Sequence, residues 1–339
     1  MLSLQGAQQR WRRGEPAPQA YFTFANDVWH PIETPELAYP PATEVPLSFS
    51  VLSWNIDFMR PLADARMKAA LKHLDSLVAG RASQSVIMLN EMVDSDLKLI
   101  GSTDWVRRDY NMTDVSTENW ELQCYGTCML VPKSMPIRRV FRVHYERTSM
   151  QRDALFVDVA LPQEKTLRLC ATHLESLKAD PPKRPSQLYT AAKYLHQAHA
   201  GILAGDLNAI EPFDRTLHVE NNLKDAYLQT GGQEDAESGM TWGQMAEASE
   251  RERFGLSRMD KVLFCGGLAV SDFGTFGMGV QVESEADREE LVRTRQLEEG
   301  WATDHLGVKG DFRIELLGMA AEGSKTTEGR ERELAHKLS

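Results

Sequence analysis

Six short stretches place polar side chains where an apolar run ends or begins. They are Trp54-Asn55-Ile56-Asp57, Asn90-Glu91, Thr172-His173-Leu174, Gly205-Asp206-Leu207-Asn208, Ser257-Arg258-Met259-Asp260 and Thr303-Asp304-His305. One such stretch alone reads as a turn. Asn and Asp are ordinary turn residues, and a lone His or Glu is usually solvated or a satisfied core residue. Six of them in order along the chain carry the side chains needed for hydrolysis at phosphorus. Glu91, Asp57 and Asp304 offer hard oxygen ligands suited to Mg2+ or Mn2+, and the lack of a Cys/His cluster argues against zinc. Asp206 has the chemistry to orient and deprotonate water. Asn55 and Asn208 are neutral amides that donate to a phosphoryl oxygen without adding charge. His173 and His305 are fitted to stabilise a pentacovalent anion, and Asp260 to orient His305 through its second ring nitrogen.

Strands must carry these residues. SFSVLSW, SVIMLNEM, CYGTCMLV, RRVFRVHY, ALFVDVAL, TLRLCATHL, GILAGDLN, RMDKVLF and DHLGVKGDF each read as a strand. Helical stripes run from Arg66 to Val78 (Met67, Leu71, Leu74, Leu77, Val78) and from Ser186 to Ala198 (Leu188, Ala191, Ala192, Leu195). Turn-sized gaps between several strands predict antiparallel pairing. The fold class is therefore α/β, with two packed mixed sheets flanked by helices rather than a parallel doubly wound sheet.

Three segments are expected. Residues 1–44 contain six prolines and the aromatic residues Tyr21, Phe22, Phe24 and Trp29, which predicts a frayed start followed by an extended segment packed on the domain. Residues 45–317 carry the strands and the chemistry. Residues 318–339 are small, polar and charged, and read as a tail. The net charge is −11, and segments 233–252 and 283–299 carry −5 and −4 of it. That excludes a surface coated in basic charge for long duplex DNA but leaves the rest of the domain able to take an anion. No apolar run approaches the ~20 residues of a membrane span, and the first residues lack a signal-peptide core. The four cysteines (Cys124, Cys128, Cys170, Cys265) form no CxxC pair and read as free, mostly buried thiols of a reducing compartment. An intracellular place, nucleus or cytoplasm, is the expectation. Arg10-Trp11-Arg12-Arg13 is too short to decide between them.

The ordered set WNID, NE, THLES, GDLN, RMD and TDH resembles the endonuclease/exonuclease/phosphatase superfamily over about residues 47–315. The resemblance implies a DNase I-like four-layered α/β sandwich and a divalent-metal phosphoesterase. It implies Glu91 as the main metal ligand with Asp57 and Asp304 near the metal, and Mg2+ as the ion, with Mn2+ a substitute. It gives Asp206 the water, Asn55 and Asn208 the phosphate and nucleophile, His305 a phosphate contact with Asp260 behind it, and His173 the transition state.

Within the superfamily, three features resemble the tyrosyl-DNA phosphodiesterase 2 branch. They are Trp54-Asn55-Ile56-Asp57, the His173-Leu174-Glu175-Ser176 run followed by a helix containing Gln187-Leu188, and Thr241-Trp242 between GDLN and RMD. Phe58-Met59, Asn90, Gly243 and Met259 depart from that branch, which has glycine-leucine, Gln, Asp and Phe there. The branch implies a partner: a DNA 5′ end carrying a covalent tyrosyl adduct, cleaved by a monomer. Ser176 is then expected on a flanking phosphate, and Trp242 as a stacking platform for a terminal base or, equally, as a core residue. Gly205 is expected to permit close backbone approach beside the leaving group. Two alternatives stay open: another soluble phosphoesterase (nuclease, deadenylase or small-molecule phosphatase), or a non-catalytic phosphate-binding member.

Overall fold

The computed structural model describes residues 11–33 and 45–316. The expected frayed start, Arg10 and the tail 318–339 lie outside the described residues. The chain opens with β1 (Pro16–Gln19), β2 (Tyr21–Ala25) and β3 (Val28–Ile32). Next come β4 (Ser48–Asn55), α1 (Ala63–Val78), β5 (Ser85–Met92), α2 (Asp94–Ser102), α3 (Asp104–Asp109), β6 (Tyr110–Met112) and β7 (Gly126–Pro132). The middle is β8 (Ile137–His144), β9 (Asp153–Ala160), β10 (Thr166–Thr172), α4 (Arg184–Leu195) and β11 (Ala200–Asp206). Short α5 (Leu217–Glu220), β12 (Lys224–Asp225), α6 (Ala226–Gln229) and α7 (Ala248–Phe254) lead to β13 (Asp260–Gly266), β14 (Leu268–Phe276), α8 (Glu285–Arg295) and β15 (Gly307–Ile314).

The strands form two mixed sheets, ordered β1-β8-β9-β10-β11-β13-β12 and β14-β15-β4-β5-β7-β6-β2-β3. Their apolar runs are continuous rather than alternating because both faces of each sheet are covered. Inward residues such as Val51, Val86, Met88, Leu169, Ile202 and Val308 meet between the sheets. The alternate residues Leu52, Trp54, Ile87 and Leu89 turn outward onto Met67, Leu71 and Leu74 of α1. On the other sheet Phe156, Cys170 and Leu203 meet Leu188, Ala191 and Leu195 of α4. Each fully buried side chain of this size contributes about 1.5–3 kcal/mol. The result is the expected four layers, helix on sheet on sheet on helix.

Residues 16–32, which the sequence places in an extension, add strands to both sheets. β1 pairs with β8, and β2 pairs with β6. Pro16 and Pro18 are compatible with β1 because it is an edge strand, where only alternate N–H groups are needed. Cys128, Cys170 and Cys265 are buried and Cys124 is exposed, all four as free thiols. Among the described residues no helix is long and apolar enough to cross a membrane.

Strand direction explains the site. β4 runs parallel to β5, and β10 parallel to β11. β13 lies antiparallel to β11 and β15 antiparallel to β4. Residues at the C-terminal ends of the first four and at the N-terminal ends of the last two therefore meet along one edge of the sandwich. All six polar stretches occupy those positions.

Candidate active site

Asp206 is the centre of this edge. It is buried, and its Oδ2 is 3.0 Å from Asn55 Nδ2, 3.3 Å from His173 Nε2 and 3.7 Å from His305 Nε2. Its Oδ1 accepts the Asn208 backbone N–H at 2.8 Å. The Asn208 side chain donates to the Leu174 carbonyl at 3.1 Å, tying the GDLN turn to the strand end that carries His173. Gly205 lets the strands close up. A Cβ there would lie 1.8 Å from the Thr172 carbonyl oxygen, so only glycine fits. The close approach expected of Gly205 is thus to a neighbouring strand.

His305 Nδ1 pairs with Asp260 Oδ2 at 2.8 Å, as expected of an oriented histidine. Burial works against its positive charge, but Asp260, Asp206 and Asp304 outweigh that and raise its pKa well above the ordinary value. His173 is different. Burial, and then the Arg152 guanidinium, push its pKa down to about 4. Arg152 Nη1 stands 2.6 Å from His173 Nδ1. A guanidinium only donates, so Nδ1 accepts and the ring proton of neutral His173 sits on Nε2, facing Asp206 and Glu91. For Asp206 burial is again opposed, here by His305 and His173, and its pKa lies below the ordinary carboxylate range. The site therefore holds an ionised carboxylate beneath two imidazole N–H donors.

The second carboxylate group surrounds Glu91. Glu91 Oε2 accepts the Phe58 N–H at 3.0 Å, while Oε1 lies 3.7 Å from His173 Nε2. Both oxygens of Asp57 are engaged, Oδ1 by the Met59 N–H at 3.0 Å and Oδ2 by Arg60 Nε at 2.9 Å. Asp304 Oδ2 accepts Trp242 Nε1–H at 2.8 Å, and its Oδ1 is buried without a hydrogen-bond partner. Burial, then the charges of Asp57 and Asp304, push the Glu91 carboxyl up to about 7. Crowded carboxylates with a shortage of positive charge and two uncommitted oxygens, Glu91 Oε1 and Asp304 Oδ1, fit a hard divalent cation. Among the described residues Glu91, His173 and Asp206 lie close enough together to share an ion, and Asp57 and Asp304 are not part of that group. Asp57, Glu91 and Asn208 all have positive φ, at 57°, 58° and 47°. Such backbone costs on the order of 1–3 kcal/mol per residue and persists where neighbours over-determine it, as they do at this edge.

The two predicted substrate contacts take different places. Ser176 is half-buried, just beyond the end of β10. Trp242 is only 8% exposed and packs with Ala246 and Met259. Of the two readings of Trp242, the burial favours the core residue, and its indole N–H is placed to orient Asp304. In the acidic segment around it, buried Met245 O accepts from Arg60 Nη2 at 2.9 Å. Sequence reasoning missed Arg60 and Arg152, and it named Thr241 and Thr303 within their motifs without giving them a part. Thr241 Oγ1 accepts the Met259 and Asp260 N–H groups at 3.1 and 3.0 Å, and Thr303 Oγ1 donates to Asn55 O at 2.8 Å. Arg152 carried a signal, since Arg152-Asp153 opens an apolar run just as the other site stretches do.

The model of the Endonuclease/Exonuclease/phosphatase family matches residues 52–305, which spans the whole edge from Asn55 to His305. The chain belongs to this family. Among curated proteins no match is found. Solved structures of similar fold include truncated TDP2 from Caenorhabditis elegans, with TM-score 0.60, 22% identity, and coverage of 79% of this chain and 98% of that chain. D. rerio TDP2 complexed with a single-strand DNA product has TM-score 0.59 at 18% identity, covering 79% and 99%. An endonuclease/exonuclease/phosphatase from Beutenbergia cavernae has TM-score 0.52 at 18% identity, covering 79% and 72%. At these identities the likeness shows the fold.

Proposed function

We propose that this chain is a Mg2+-dependent phosphodiesterase, with Mn2+ able to substitute, that hydrolyses 5′-tyrosyl phosphodiester bonds at DNA ends as a monomer in the nucleus or cytoplasm. The observation that carries the reaction class is the edge itself. An ionised Asp206 lies beneath the N–H donors of Asn55, His173 and His305, with Glu91 close by and a buried Asp304 oxygen left without a partner. The substrate class is supported by the motif set and by the DNA product in a structurally similar protein.

In this reading Asp206 and Asn208 hold the attacking water, and Asp206 takes its proton as the water oxygen bonds to phosphorus. His173 Nε2–H and His305 Nε2–H donate to the non-bridging oxygens, whose charge grows in the transition state. Asp260 keeps His305 aimed and charged. Asn55 donates to the phosphoryl group once Asp206 turns to the water. The bond from phosphorus to the tyrosyl oxygen breaks, leaving a 5′-phosphate and a tyrosine that regains its phenolic proton from solvent. Glu91 and Asp304 would hold the divalent ion, which would supply Lewis-acid neutralisation of phosphate and leaving-group charge. Ser176 donates to a flanking phosphate and reads no base.

The test is relative kcat/KM for 5′-tyrosyl DNA, 3′-tyrosyl DNA, abasic duplex, poly(A) RNA and an inositol phosphate, each with and without Mg2+. Metal-dependent cleavage with 5′-tyrosyl DNA preferred is the expected result. Another substrate cleaved at least ~100-fold better, about 2.7 kcal/mol in transition-state binding, overturns the substrate and leaves the reaction class standing.

A further inference from the structure

Phe58 and Tyr125 stand at the mouth of the site as a half-exposed aromatic pair, stacked with ring centroids 4.2 Å apart and planes 12° from parallel. Neither ring belongs to a core cluster. Both are tied to the chemistry. The Phe58 N–H donates to Glu91 Oε2 at 3.0 Å. The Tyr125 ring lies 5.2 Å from the guanidinium of Arg152, which in turn holds His173. The Tyr125 hydroxyl is anchored on Met150 O at 3.1 Å. Met59, the next residue, is 68% exposed. A cluster of buried charge is thus bordered on one side by apolar surface that contributes little to the core.

In-line displacement says what meets that surface. Water held by Asp206 attacks phosphorus from one side, so the departing oxygen leaves from the opposite side. His173 Nε2 lies 3.3 Å from Asp206 Oδ2 and 3.7 Å from Glu91 Oε1, so both carboxylates border the phosphate that His173 contacts; with Asp206 on the water, Glu91 is left to serve the departing oxygen. Phe58 is fastened to Glu91 there. We infer that Phe58 and Tyr125 form the seat for an aromatic leaving group, and that Phe58 makes the site select aryl over alkyl phosphodiesters. The branch that the chain resembles has glycine at this position, so the ring is a feature of this chain. The inference rests on the phosphodiesterase reading of the same site.

The experiment compares wild type with Phe58→Gly and Phe58→Tyr on two small esters of thymidine 5′-monophosphate, p-nitrophenyl and trifluoroethyl, and on 5′-tyrosyl DNA. Comparing variant with wild type cancels the intrinsic reactivity of each leaving group. For Phe58→Gly the KM for the p-nitrophenyl ester is expected to rise about tenfold, the upper range of an aromatic contact. The trifluoroethyl ester changes less than twofold, and Phe58→Tyr restores the aryl preference. An equal loss on both esters means that Phe58 only supports Glu91, and overturns the inference. So does an unchanged aryl-to-alkyl ratio, or a wild type that hydrolyses neither ester. A wild type that selects the aryl ester through Phe58 yet leaves 5′-tyrosyl DNA intact upholds the inference while removing the proposed substrate.

Discussion

Two buried charge clusters lie within one β-sandwich, and they are built on opposite principles. Around Arg142 every guanidinium group is satisfied. Nε donates to Gln19 Oε1, Nη1 to Thr127 Oγ1 and Asp153 Oδ1, and Nη2 to Asp114 Oδ2 and the Thr127 carbonyl, at 2.8–3.1 Å. This cluster joins β1, β7, β8 and β9. At the edge that holds Asp206, Asp304 Oδ1, Asp260 Oδ1, Arg60 Nη1 and Arg152 Nε are buried without partners. Glu91 bears the charges of Asp57 and Asp304 with no cation directly upon it. A saturated cluster specifies strand register. An unsaturated one keeps its bonding capacity for a ligand, and the fold carries the cost elsewhere.

Exchanging one residue in each cluster gives the largest expected effects, and they separate stability from activity. Arg142→Met leaves Asp114 and Asp153 as buried charges without their partner and should cost about 3–5 kcal/mol. Urea denaturation reads that loss, while kcat per folded molecule stays near wild type. Glu91→Gln should do the reverse, lowering Mg2+-dependent kcat at least ~1,000-fold with no loss of Tm. Its pKa of about 7 lies above the ordinary 4.5, so the folded protein binds a proton there more tightly than the unfolded chain. In metal-free wild type, stability therefore falls as pH rises through this window, and Glu91→Gln should abolish that fall. The same proton competes with the cation, so apparent Mg2+ affinity should weaken toward tenfold per unit below about pH 7. Titrations at several pH values check it. Wild-type turnover in Glu91→Gln at low millimolar Mg2+ would remove the metal assignment.

Asp206→Asn and His305→Ala should each lower kcat at least ~100-fold, the scale of a lost general base or oxyanion donor. Tm measured beside kcat distinguishes chemistry from packing: a core histidine would cost stability and spare specific activity. Asp260→Asn should cost less, about 30-fold in kcat, because it removes the orienting partner and leaves the donor. The pH profile tells these apart, since His305 without Asp260 loses its main source of raised pKa and activity should fall at lower pH than in wild type.

The same contrast explains what could be read from residue order. Asn55, Glu91, His173, Asp206, Asp260 and His305 were legible because each interrupts a long apolar strand, and parallel or antiparallel pairing brings such interruptions to one edge. The strands β4, β5, β9 and β11 were legible for the same reason. β14 was hidden because its apolar run is broken by the exposed residues Ser271, Asp272, Gly274 and Thr275. β1 was hidden by its prolines. Asp57 shows a different limit. Its spacing from Asn55 marks it as a site carboxylate, but only the folded loop brings Arg60 Nε to within 2.9 Å of it. The Arg142 cluster was invisible because its members come from five separate segments and obey no local pattern.

Trp242 provides the finest measure of how surrounding residues serve the carboxylates. Its indole N–H holds Asp304 Oδ2 at 2.8 Å, leaving Oδ1 uncommitted. Phenylalanine keeps most of the ring volume against Ala246 and Met259 but removes that donor. Partners one step behind a metal ligand typically change metal affinity 10–100-fold, and loss of a single neutral donor belongs near the lower end. Trp242→Phe should therefore weaken apparent Mg2+ affinity about tenfold, with kcat at saturating Mg2+ within about threefold of wild type. Isothermal titration and Mg2+-dependence of turnover read the two quantities separately. If Trp242 stacked on a terminal base instead, Phe would keep the stack while Ala raised KM for single-stranded ends, and neither would shift the metal titration. A metal titration unmoved by Trp242→Phe would thus return Trp242 to the substrate side and leave Asp304 without its orienting partner.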